Sequence, residues 1–379
     1  MSMLMFLPWC PIDKSYEVGE IIISPFNRLE ELAKLNNSDH VIVNTFFNTY
    51  RDISGEPINK AAIVGYKGKS WLDELEDGEF EEAYELVALA CFCSLAKREY
   101  FTSGPYSNSD CFQMYVHRFK SRDFTAIRMK RRNGITLSGW SVNKIKLSIP
   151  IHCHSIHKVS IDDNLLQSLI EYRSSRDSKW RYWQNAILCF NQANTDSDRF
   201  RYQVEWVLLS SAIEHVLGAK PKSKDVAKEF VKVMVPNKPI PVNQSSRRSN
   251  QWTKEDQSLR YEWMKEFYSI RGDFAHGKLI SQKPSQWSPL EHLVLASIAF
   301  PLVVKILLSK DGKYNLTIDD QAQINCFEKL ADTSSFLDHP SDARSSLESY
   351  WNRCIWKFKE DQQIKNAVQL LNKFRENTE

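Results

Sequence analysis

One stretch of sequence decides the fold class of the C-terminal half: residues 288–309 read SPLEHLVLASIAFPLVVKILLS. It begins with a helix start signal, because Ser288 is a good capping residue, proline is favoured at the first helical position, and Glu291 can reach back to the cap. The 12 residues of Leu293–Val304 carry no charge. A helix that spans a bilayer needs roughly 20 apolar residues. We therefore expect a buried core helix here.

A core helix must be covered by other helices, and the flanking sequence predicts them. Apolar residues recur at helical spacing in three stretches: Trp183, Ile187, Phe190 and Ala193; Leu209, Ala212, Ile213 and Val216; and Trp263, Phe267, Ile270 and Phe274. Gly218 is typical of a helix end, a shorter helix is predicted over 224–234, and a polar loop over 237–252. We expect an all-α bundle of four or five helices over 176–310, followed by a helical C-terminal extension over 311–379.

The first part of the chain has a different pattern. Runs rich in β-branched and aromatic residues, several of them separated by glycine, predict strands at Ile21–Ile23, Val41–Phe47, Ala61–Tyr66, Phe112–Phe119, Phe124–Met129 and Ile145–Ile151. An acidic first turn before a periodic apolar run predicts a helix over Glu79–Arg98. The sequence therefore predicts an α+β regulatory or sensing domain over 1–165.

Composition limits the function classes. The chain has 379 residues, with 50 Lys+Arg against 47 Asp+Glu and a net charge of +3. Hydrophobic residues at 42% exclude a wholly disordered chain, and the near balance of charge excludes a protein that coats nucleic acid through bulk positive charge. Eight cysteines without a Cys-x-x-Cys pair favour a reducing compartment, and Met1–Trp9 lacks the features of a secretory signal. We expect a cytoplasmic protein that contacts no membrane.

The candidate chemistry lies shortly before the core helix. Residues 267–278 read FYSIRGDFAHGK, which places Arg271, Asp273 and His276 within six residues at the end of a predicted helix. Arginine has a fixed fork of donors that matches phosphate oxygens and can stabilise a pentacoordinate transition state. Histidine, whose ordinary pKa is about 6.5, can take a proton from a ribose 2′-OH or give one to the leaving 5′-oxygen. With Asp273 orienting the imidazole or holding Arg271, these residues suit RNA cleavage without a metal.

The same residues also have a purely structural interpretation. Arg-x4-His is a short motif. A surface arginine, followed by a histidine that interacts favourably with the negative end of a helix dipole, is common, and Gly277 would simply end the helix. On residue chemistry alone, both interpretations stay open.

Two helices together resemble those of a known superfamily. Residues 204–217 read VEWVLLSSAIEHVL, and Arg271-x4-His276 lies on the penultimate helix of the predicted bundle. This combination resembles the HEPN superfamily, and within it the ApeA-like group of prokaryotic defence proteins, over roughly residues 178–310. One departure is Gly272, since many members have a polar or charged residue directly after the arginine, whereas here the acid comes one position later.

The resemblance implies a metal-independent endoribonuclease, active as a homodimer in which the motif helices of two subunits form one composite site. It implies that Arg271 stabilises the phosphate, that His276 is the general acid or base, and that Asp273 supports them. It further implies a role in anti-phage defence by abortive infection, with a phage-derived trigger sensed by the N-terminal domain. Superfamily members without catalysis exist, so the alternatives are a non-catalytic module that binds RNA, nucleotides or a partner protein, and a plain dimerisation scaffold.

A basic stretch is the second candidate for RNA contact. Arg118–Lys146 contains nine basic residues and one acid, and its interleaved aromatic residues suit backbone tracking with base stacking. The candidate RNA-binding residues are Arg128, Lys130, Arg131, Arg132 and, beside the motif, Lys278. Alternatively, the stretch pairs with the acidic tract Asp73–Glu85 or stays solvated.

Two other motifs are weaker. Residues 152–157 read HCHSIH, but no second half-site with zinc spacing is present. Residues 65–70 read GYKGKS, like the end of a phosphate loop, yet Ile63 stands where that loop requires its first glycine. We therefore expect no metal and no cofactor.

Overall fold

The structure, a computed structural model, describes residues 2–35, 37–73, 75–101, 107–119, 126–130, 135–141, 144–153, 159–175, 178–247, 252, 257–275, 285–334, 336 and 341–376. The chain divides into two compact units. The N-terminal unit comprises Met1–Arg98, Gly104–Leu166 and Thr195–Ser197, and the C-terminal unit comprises Glu99–Ser103, Gln167–Asn194 and Asp198–Glu379. The predicted segments 176–310 and 311–379 both lie within the C-terminal unit, apart from Thr195–Ser197.

A five-stranded antiparallel sheet forms the centre of the N-terminal unit. In chain order the strands are β1 (Ser2–Leu7), β2 (Tyr16–Val18), β3 (Ile21–Asn27), β4 (Tyr50–Arg51), β5 (Lys60–Tyr66), β6 (Tyr115–Phe119), β7 (Ala126–Lys130), β8 (Thr136–Ser141) and β9 (Leu147–Ser148). The sheet has the order β2-β3-β5-β1-β6. β4 pairs in parallel with β9, and β7 pairs antiparallel with β8. The strands predicted at Ile21–Ile23 and Ala61–Tyr66 are confirmed.

Strand β1 was not predicted from the sequence. Its residues lie within the apolar stretch Met1–Trp9, which lacks the features of a secretory signal. β1 pairs with β5 on one edge and with β6 on the other; Leu4 and Phe6 are buried on one face and Met3 and Met5 on the other. A strand buried on both faces has a continuous apolar sequence without the alternation that normally signals a strand.

The N-terminal unit has three complete helices, α1 (Arg28–Leu32), α2 (Asn37–Phe47) and α3 (Asp77–Leu95). Helix α3 confirms the prediction over Glu79–Arg98, and Glu76 and Glu79 form its capping box. The predicted strand Val41–Phe47 is wrong, because these residues belong to α2. Val41 is 62% exposed while Ile42, Val43, Phe46 and Phe47 are buried, which is a helical period that β-branched composition obscured.

Three further predicted strands are shorter than expected or shifted. In the predicted strand Phe112–Phe119, Ser109–Phe112 forms a 3₁₀ turn and only Tyr115–Phe119 is extended. The prediction over Phe124–Met129 corresponds to β7. The prediction over Ile145–Ile151 corresponds only to the two residues of β9, and a 3₁₀ turn begins at Ile151.

The C-terminal unit is helical. Its helices are α5 (Trp180–Ala193), α6 (Tyr202–Leu217), α7 (Ser223–Val233), α8 (Leu259–Ala275), α9 (Pro289–Lys310), α10 (Ile318–Asp332) and α11 (Ser341–Glu376). The division between the units falls within α4 (Asp163–Ser174). The general prediction of an α+β region followed by a mostly helical body is confirmed, although α4 was not predicted and α10 was predicted only as part of the helical extension over 311–379.

Helix α9 is the predicted core helix. The Glu291 carboxylate accepts from the Ser288 amide at 2.7 Å, and the Glu291 amide donates to the Ser288 hydroxyl at 3.3 Å, so the predicted capping box is confirmed. Among the described residues, α9 is the one helix long and apolar enough to cross a membrane, and 83% of its most apolar window is buried inside the protein. That burial is typical of a core helix in a soluble protein.

Large aromatic side chains fill the space around α9 and its neighbours. Trp183, Trp206, Trp263 and Trp351 are all buried, which confirms the core positions that helical spacing predicts for Trp183 and Trp263. Phe190 of α5 stacks on Phe300 of α9 with ring centroids 4.7 Å apart. Such rings bury large apolar areas and dominate core energetics.

The polar loop between α7 and α8 is attached to the helices by buried charges. The Glu328 carboxylate of α10 accepts from the Ile240 amide at 2.5 Å and from the Arg260 guanidinium at 2.7 Å. Arg247 pairs with Glu291 at the start of α9, and both side chains are almost fully buried. Buried charges require such partners, so these contacts determine where the loop lies on the helices.

A partly buried histidine in the N-terminal unit makes stability depend on pH. His117 of β6 stacks on Phe46 at 4.1 Å, its Nε2 lies 2.8 Å from the Tyr50 hydroxyl, and burial lowers its pKa to about 4. The unfolded chain takes up this proton near pH 6.5 and the folded chain only near pH 4. We therefore expect the free energy of unfolding to fall by about 3 kcal/mol as the pH drops through that window.

Urea unfolding at pH 7.5 and pH 4.5 measures this effect. His117→Phe keeps a ring in the core and removes the titrating group, so it should lower stability at pH 7.5 but remove most of the His117-dependent loss at pH 4.5. An equal pH-dependent loss in both proteins would contradict the assignment to His117.

Candidate functional site

Arg271 lies on the last turn of α8, where its guanidinium is held by two side chains. It donates to the carboxylate of Glu214 on α6 and to the hydroxyl of Tyr268, one turn earlier on α8. The Tyr268 hydroxyl in turn donates to the same Glu214 oxygen. The guanidinium also lies 5.1 Å from the centre of the Tyr268 ring. This closed set of contacts, named here the Arg271 clamp, restricts the direction in which the guanidinium points.

The clamp is only partly buried. The side chain of Arg271 is 27% exposed and that of Glu214 is 17% exposed, so solvent or a ligand has access to the guanidinium. Burial and the hydrogen bond to Glu214 raise the pKa of Tyr268 well above its usual value. Tyr268 therefore stays protonated at neutral pH and serves as a donor to the carboxylate.

Packing between α6 and α8 brings Glu214 to Arg271. The Trp206 indole of α6 stacks on Phe267 of α8 at 5.2 Å and donates to the Phe267 carbonyl at 2.8 Å. In an α-helix the carbonyl of Phe267 is also the acceptor for the amide of Arg271, four residues later. The indole therefore attaches α6 to α8 one turn before Arg271.

The chain after α8 returns to α8. Ser285, Gln286 and Trp287 donate to one carboxylate oxygen of Glu266, at 2.6, 2.9 and 3.4 Å. The buried His292 of α9 lies 3.1 Å from that oxygen. Glu266 precedes Ala275 by nine residues, or about 13 Å along the helix axis. From Ser285 onward, the chain is therefore bound to the middle of α8.

The structure places the other predicted site residues only in part. Asp273 is half-buried on the last turn of α8, two residues from Arg271. His276 and Lys278 lie outside the described residues. His276 follows Ala275, the last residue of α8, directly in the sequence.

The basic residues of the second candidate belong to the N-terminal unit. Arg128 and Lys130 lie on β7, next to an irregularity in its pairing with β8 between Ile127 and Arg128. Arg131 and Arg132 lie outside the described residues. The pairing of this stretch with the acidic tract stays a prediction.

The histidine motif at 152–157 is described only at its first two positions. His152 Nε2 lies 2.6 Å from the Asp110 carboxylate, and Cys153 is buried and donates to the Asn108 side chain at 3.2 Å. Asn108 also accepts from Cys111 at 3.4 Å. Within the described ranges, no group of three or more His, Cys, Asp and Glu side chains has metal-binding geometry.

Glu214 and Tyr268 were not predicted as site residues, although both lie in the quoted motif stretches. The signal for Glu214 is that it is the one carboxylate in the mainly apolar run 206–217, whose other polar residues are Ser210, Ser211 and His215. Such a group needs a partner when its helix packs. Its partner lies 57 residues further along the chain, a distance that sequence periodicity does not reveal.

Comparisons with protein-family models, with curated proteins and with solved structures find no match to this chain. Inference about function therefore depends on the site itself.

The Arg271 clamp makes a testable contribution to stability. Glu214→Ala leaves a partly buried guanidinium without its carboxylate, and we expect the free energy of unfolding to fall by about 1–2 kcal/mol. The matched control is Glu229→Ala, which removes an exposed i,i+3 partner of Lys232 and should cost less than about 0.5 kcal/mol. Urea unfolding measures both free energies of unfolding. Equal losses in Glu214→Ala and Glu229→Ala would show that the clamp is no stronger than a surface ion pair.

Proposed function

We propose that this protein is a metal-independent endoribonuclease of the HEPN type, in which Arg271 and His276 carry the chemistry. One observation supports this most strongly: Arg271 is held in a fixed direction at the end of α8, five residues before the sequence position of His276. The helical C-terminal unit also supports it, since the resemblance implies a helical bundle there.

The proposed reaction is attack by the ribose 2′-oxygen on the adjacent phosphorus. The bond from the 2′-oxygen to phosphorus forms, the bond to the 5′-oxygen breaks, and a 2′,3′-cyclic phosphate results. The 2′-OH loses a proton and the leaving 5′-oxygen gains one: His276 makes one of these two transfers, and water makes the other. Arg271 donates to the non-bridging oxygens, where negative charge grows in the transition state.

In this mechanism Glu214 and Tyr268 are positioning residues. A guanidinium that must stabilise a transition state is most effective when it is oriented beforehand, because no reorganisation is then needed during the reaction. The two residues leave part of the donor fork free, since they contact only the Nη1 end of Arg271. Asp273 supports the site from the same helical turn.

A second copy of the chain is the proposed partner at this site. Exposed apolar side chains lie on the two helices beside Arg271: Tyr182 and Leu188 on α5, and Val204 on α6. Tyr182 packs 6.3 Å from the ring of His215, the residue next to Glu214. Burying these side chains in a homodimer would place two Arg271 clamps close to the dimer axis.

The biological setting is proposed from the family resemblance. It is cytoplasmic, anti-phage defence by abortive infection, with the N-terminal unit sensing a phage-derived trigger and restraining the nuclease. A nuclease with broad substrate preference would damage its own cell if it were always active, so restraint is a functional requirement of this proposal.

Cleavage of labelled RNA in excess EDTA tests the chemistry. We expect wild-type protein to leave 2′,3′-cyclic phosphate ends, and Arg271→Ala and His276→Ala to lower the rate by about 100-fold or more. Arg353→Ala on α11 and His40→Ala on α2 remove the same side-chain types elsewhere and should keep the wild-type rate.

Two other outcomes would decide against the enzyme. RNA that is bound but uncut, with binding lost in Arg271→Ala, would support the non-catalytic binding module. An intact dimer that neither cuts nor binds RNA would support the scaffold.

Cysteine cross-linking tests the dimer. Cys189 of α5 is half-buried. Burial raises the pKa of its thiol, and the charge of Arg271 offsets part of that rise. In a two-fold dimer centred on this site, Cys189 meets its own copy. A bis-maleimide should therefore yield a covalent dimer at about pH 8.5, where more thiolate is present. The product should disappear in Cys189→Ser and persist in Cys354→Ser, which removes the other half-exposed thiol. A dimer lost only in Cys354→Ser would place the interface elsewhere.

A further inference from the structure

A short segment of the C-terminal unit carries a larger net charge than the whole chain. Residues 219–238 comprise the turn after α6, helix α7 and the start of the polar loop, and they contain six lysines and two acids. Their net charge is therefore +4, against +3 for all 379 residues. All six lysines are exposed: Lys220, Lys222, Lys224, Lys228, Lys232 and Lys238.

The packing of α7 determines which way its lysines face. Phe230 packs against Trp263 of α8 with ring centroids 5.5 Å apart. The other buried residues of α7 are Val226, Ala227 and Val233. Lys224 and Lys228 are four residues apart and share one face of the helix, on the side away from these apolar residues. Burial of the apolar side therefore holds both lysines in solvent.

Most of these ammonium groups are not neutralised. Lys232 pairs with Glu229 at 2.7 Å, and Asp225 lies in the first turn of α7, where the helix dipole favours a negative charge. In the part of the chain that the structure describes, no carboxylate pairs with the four lysines that come first in the segment. These four, named here the lysine face, are Lys220, Lys222, Lys224 and Lys228.

The start of the lysine face is attached to the Arg271 clamp. The Ala219 amide donates to the Glu214 carbonyl at 3.3 Å, a bond typical of the end of a helix. Because Lys220 follows Ala219 directly, its Cα lies within about 11 Å of the Cα of Glu214. The Lys222 amide donates to the Lys220 carbonyl at 2.7 Å, which fixes the backbone between these two lysines. Glu214 therefore orients Arg271 with its side chain and holds the lysine face with its carbonyl.

A face made of lysines fits a phosphate chain better than a protein surface. Protein–protein interfaces are depleted of lysine and enriched in arginine and aromatic residues. Residues 219–238 contain no arginine, and their one aromatic residue, Phe230, is buried. Lysine binds phosphate as a point charge, and contacts to phosphates position a nucleic acid without reading its sequence. We therefore expect this face to bind a polyanion independently of base sequence.

We propose that the lysine face binds the phosphate backbone of an RNA strand and positions that strand at Arg271. The identity of the polyanion rests on the proposed nuclease function. Phosphates on Lys220 and Lys222 lie next to the Arg271 clamp, and neighbouring phosphates of the same strand contact Lys224 and Lys228 along α7. These contacts hold the substrate and the transition state equally, so they lower KM and leave kcat unchanged.

Fluorescence anisotropy of the full chain with a labelled uridine oligonucleotide in excess EDTA tests the binding. His276→Ala serves as the background, so that the RNA stays intact. Changing three lysines to glutamine together should weaken binding about tenfold or more at about 100 mM salt. It should also make the slope of log K against log salt shallower by about 2, since each phosphate contact contributes about 0.7 in a single strand. The three changes are Lys220→Gln, Lys224→Gln and Lys228→Gln.

A matched variant separates the lysine face from net charge. It removes three exposed lysines from α10 and α11, namely Lys329→Gln, Lys357→Gln and Lys365→Gln. The loss of charge is the same, and we expect affinity to change less than about twofold. Equal weakening by both triple variants would overturn the proposal, because bulk charge would then explain the binding.

Cleavage kinetics distinguish this proposal from the proposed nuclease. With His276 present, the triple variant of the lysine face should raise KM and keep kcat within about twofold. RNA that binds through these lysines but is not cut would support the lysine face and count against the nuclease. RNA that is cut with an unchanged KM in the triple variant would overturn the lysine face alone. Lysine-dependent binding to phosphatidylserine vesicles, without binding to RNA, would assign the face to a membrane surface and overturn the proposal.

Discussion

The C-terminal unit depends on one constraint: α9 is apolar around nearly its whole circumference and must be covered on all sides. A helix with no polar face is stable in water only when other elements surround it. Phe190 of α5 stacks on Phe300 of α9. Trp206 of α6 and Phe267 of α8 pack against His292 near the start of α9. Helices α6 and α8 are thereby placed side by side, and the contact between Glu214 and Arg271 follows from that placement.

The few polar side chains on α9 decide which segment covers which part of it. Glu291 pairs with Arg247, His292 contacts Glu266, and Lys305 pairs with Asp320 at 2.8 Å. Apolar contacts tolerate exchange of one covering helix for another, but a buried charge left without its partner costs about 3–5 kcal/mol. The three pairs involve the loop before α8, α8 itself and α10. They therefore select one arrangement of these segments among several that would bury similar apolar area.

How much could be predicted from the sequence depended on whether the signal was local. Local signals were sufficient to predict individual helices, because each signal lies within or beside the helix it defines. Examples are the cap at Ser288, the helix end at Gly218 and the helical periods of α5 and α6. The strand predicted over Val41–Phe47 is wrong because the β-branched composition of these residues conflicts with their helical period. Strand β1 escaped prediction because a strand that is paired on both edges and buried on both faces lacks the alternation of apolar and polar residues. The Arg271 clamp was only half predicted, since Arg271 stands in a recognisable motif whereas Glu214 becomes a site residue only through tertiary packing.

The convergence of Ser285, Gln286 and Trp287 on one carboxylate oxygen of Glu266 has a consequence for how this protein can diversify. These contacts, with His292 of α9 beside them, determine where the chain rejoins the helices before α9 begins. The entropic cost of a connecting segment rises by only about 0.6 kcal/mol for each doubling of its length. Insertions and deletions in the sequence between Ala275 and Ser285 would therefore cost little stability, and the Arg271 clamp and the start of α9 would both keep their positions.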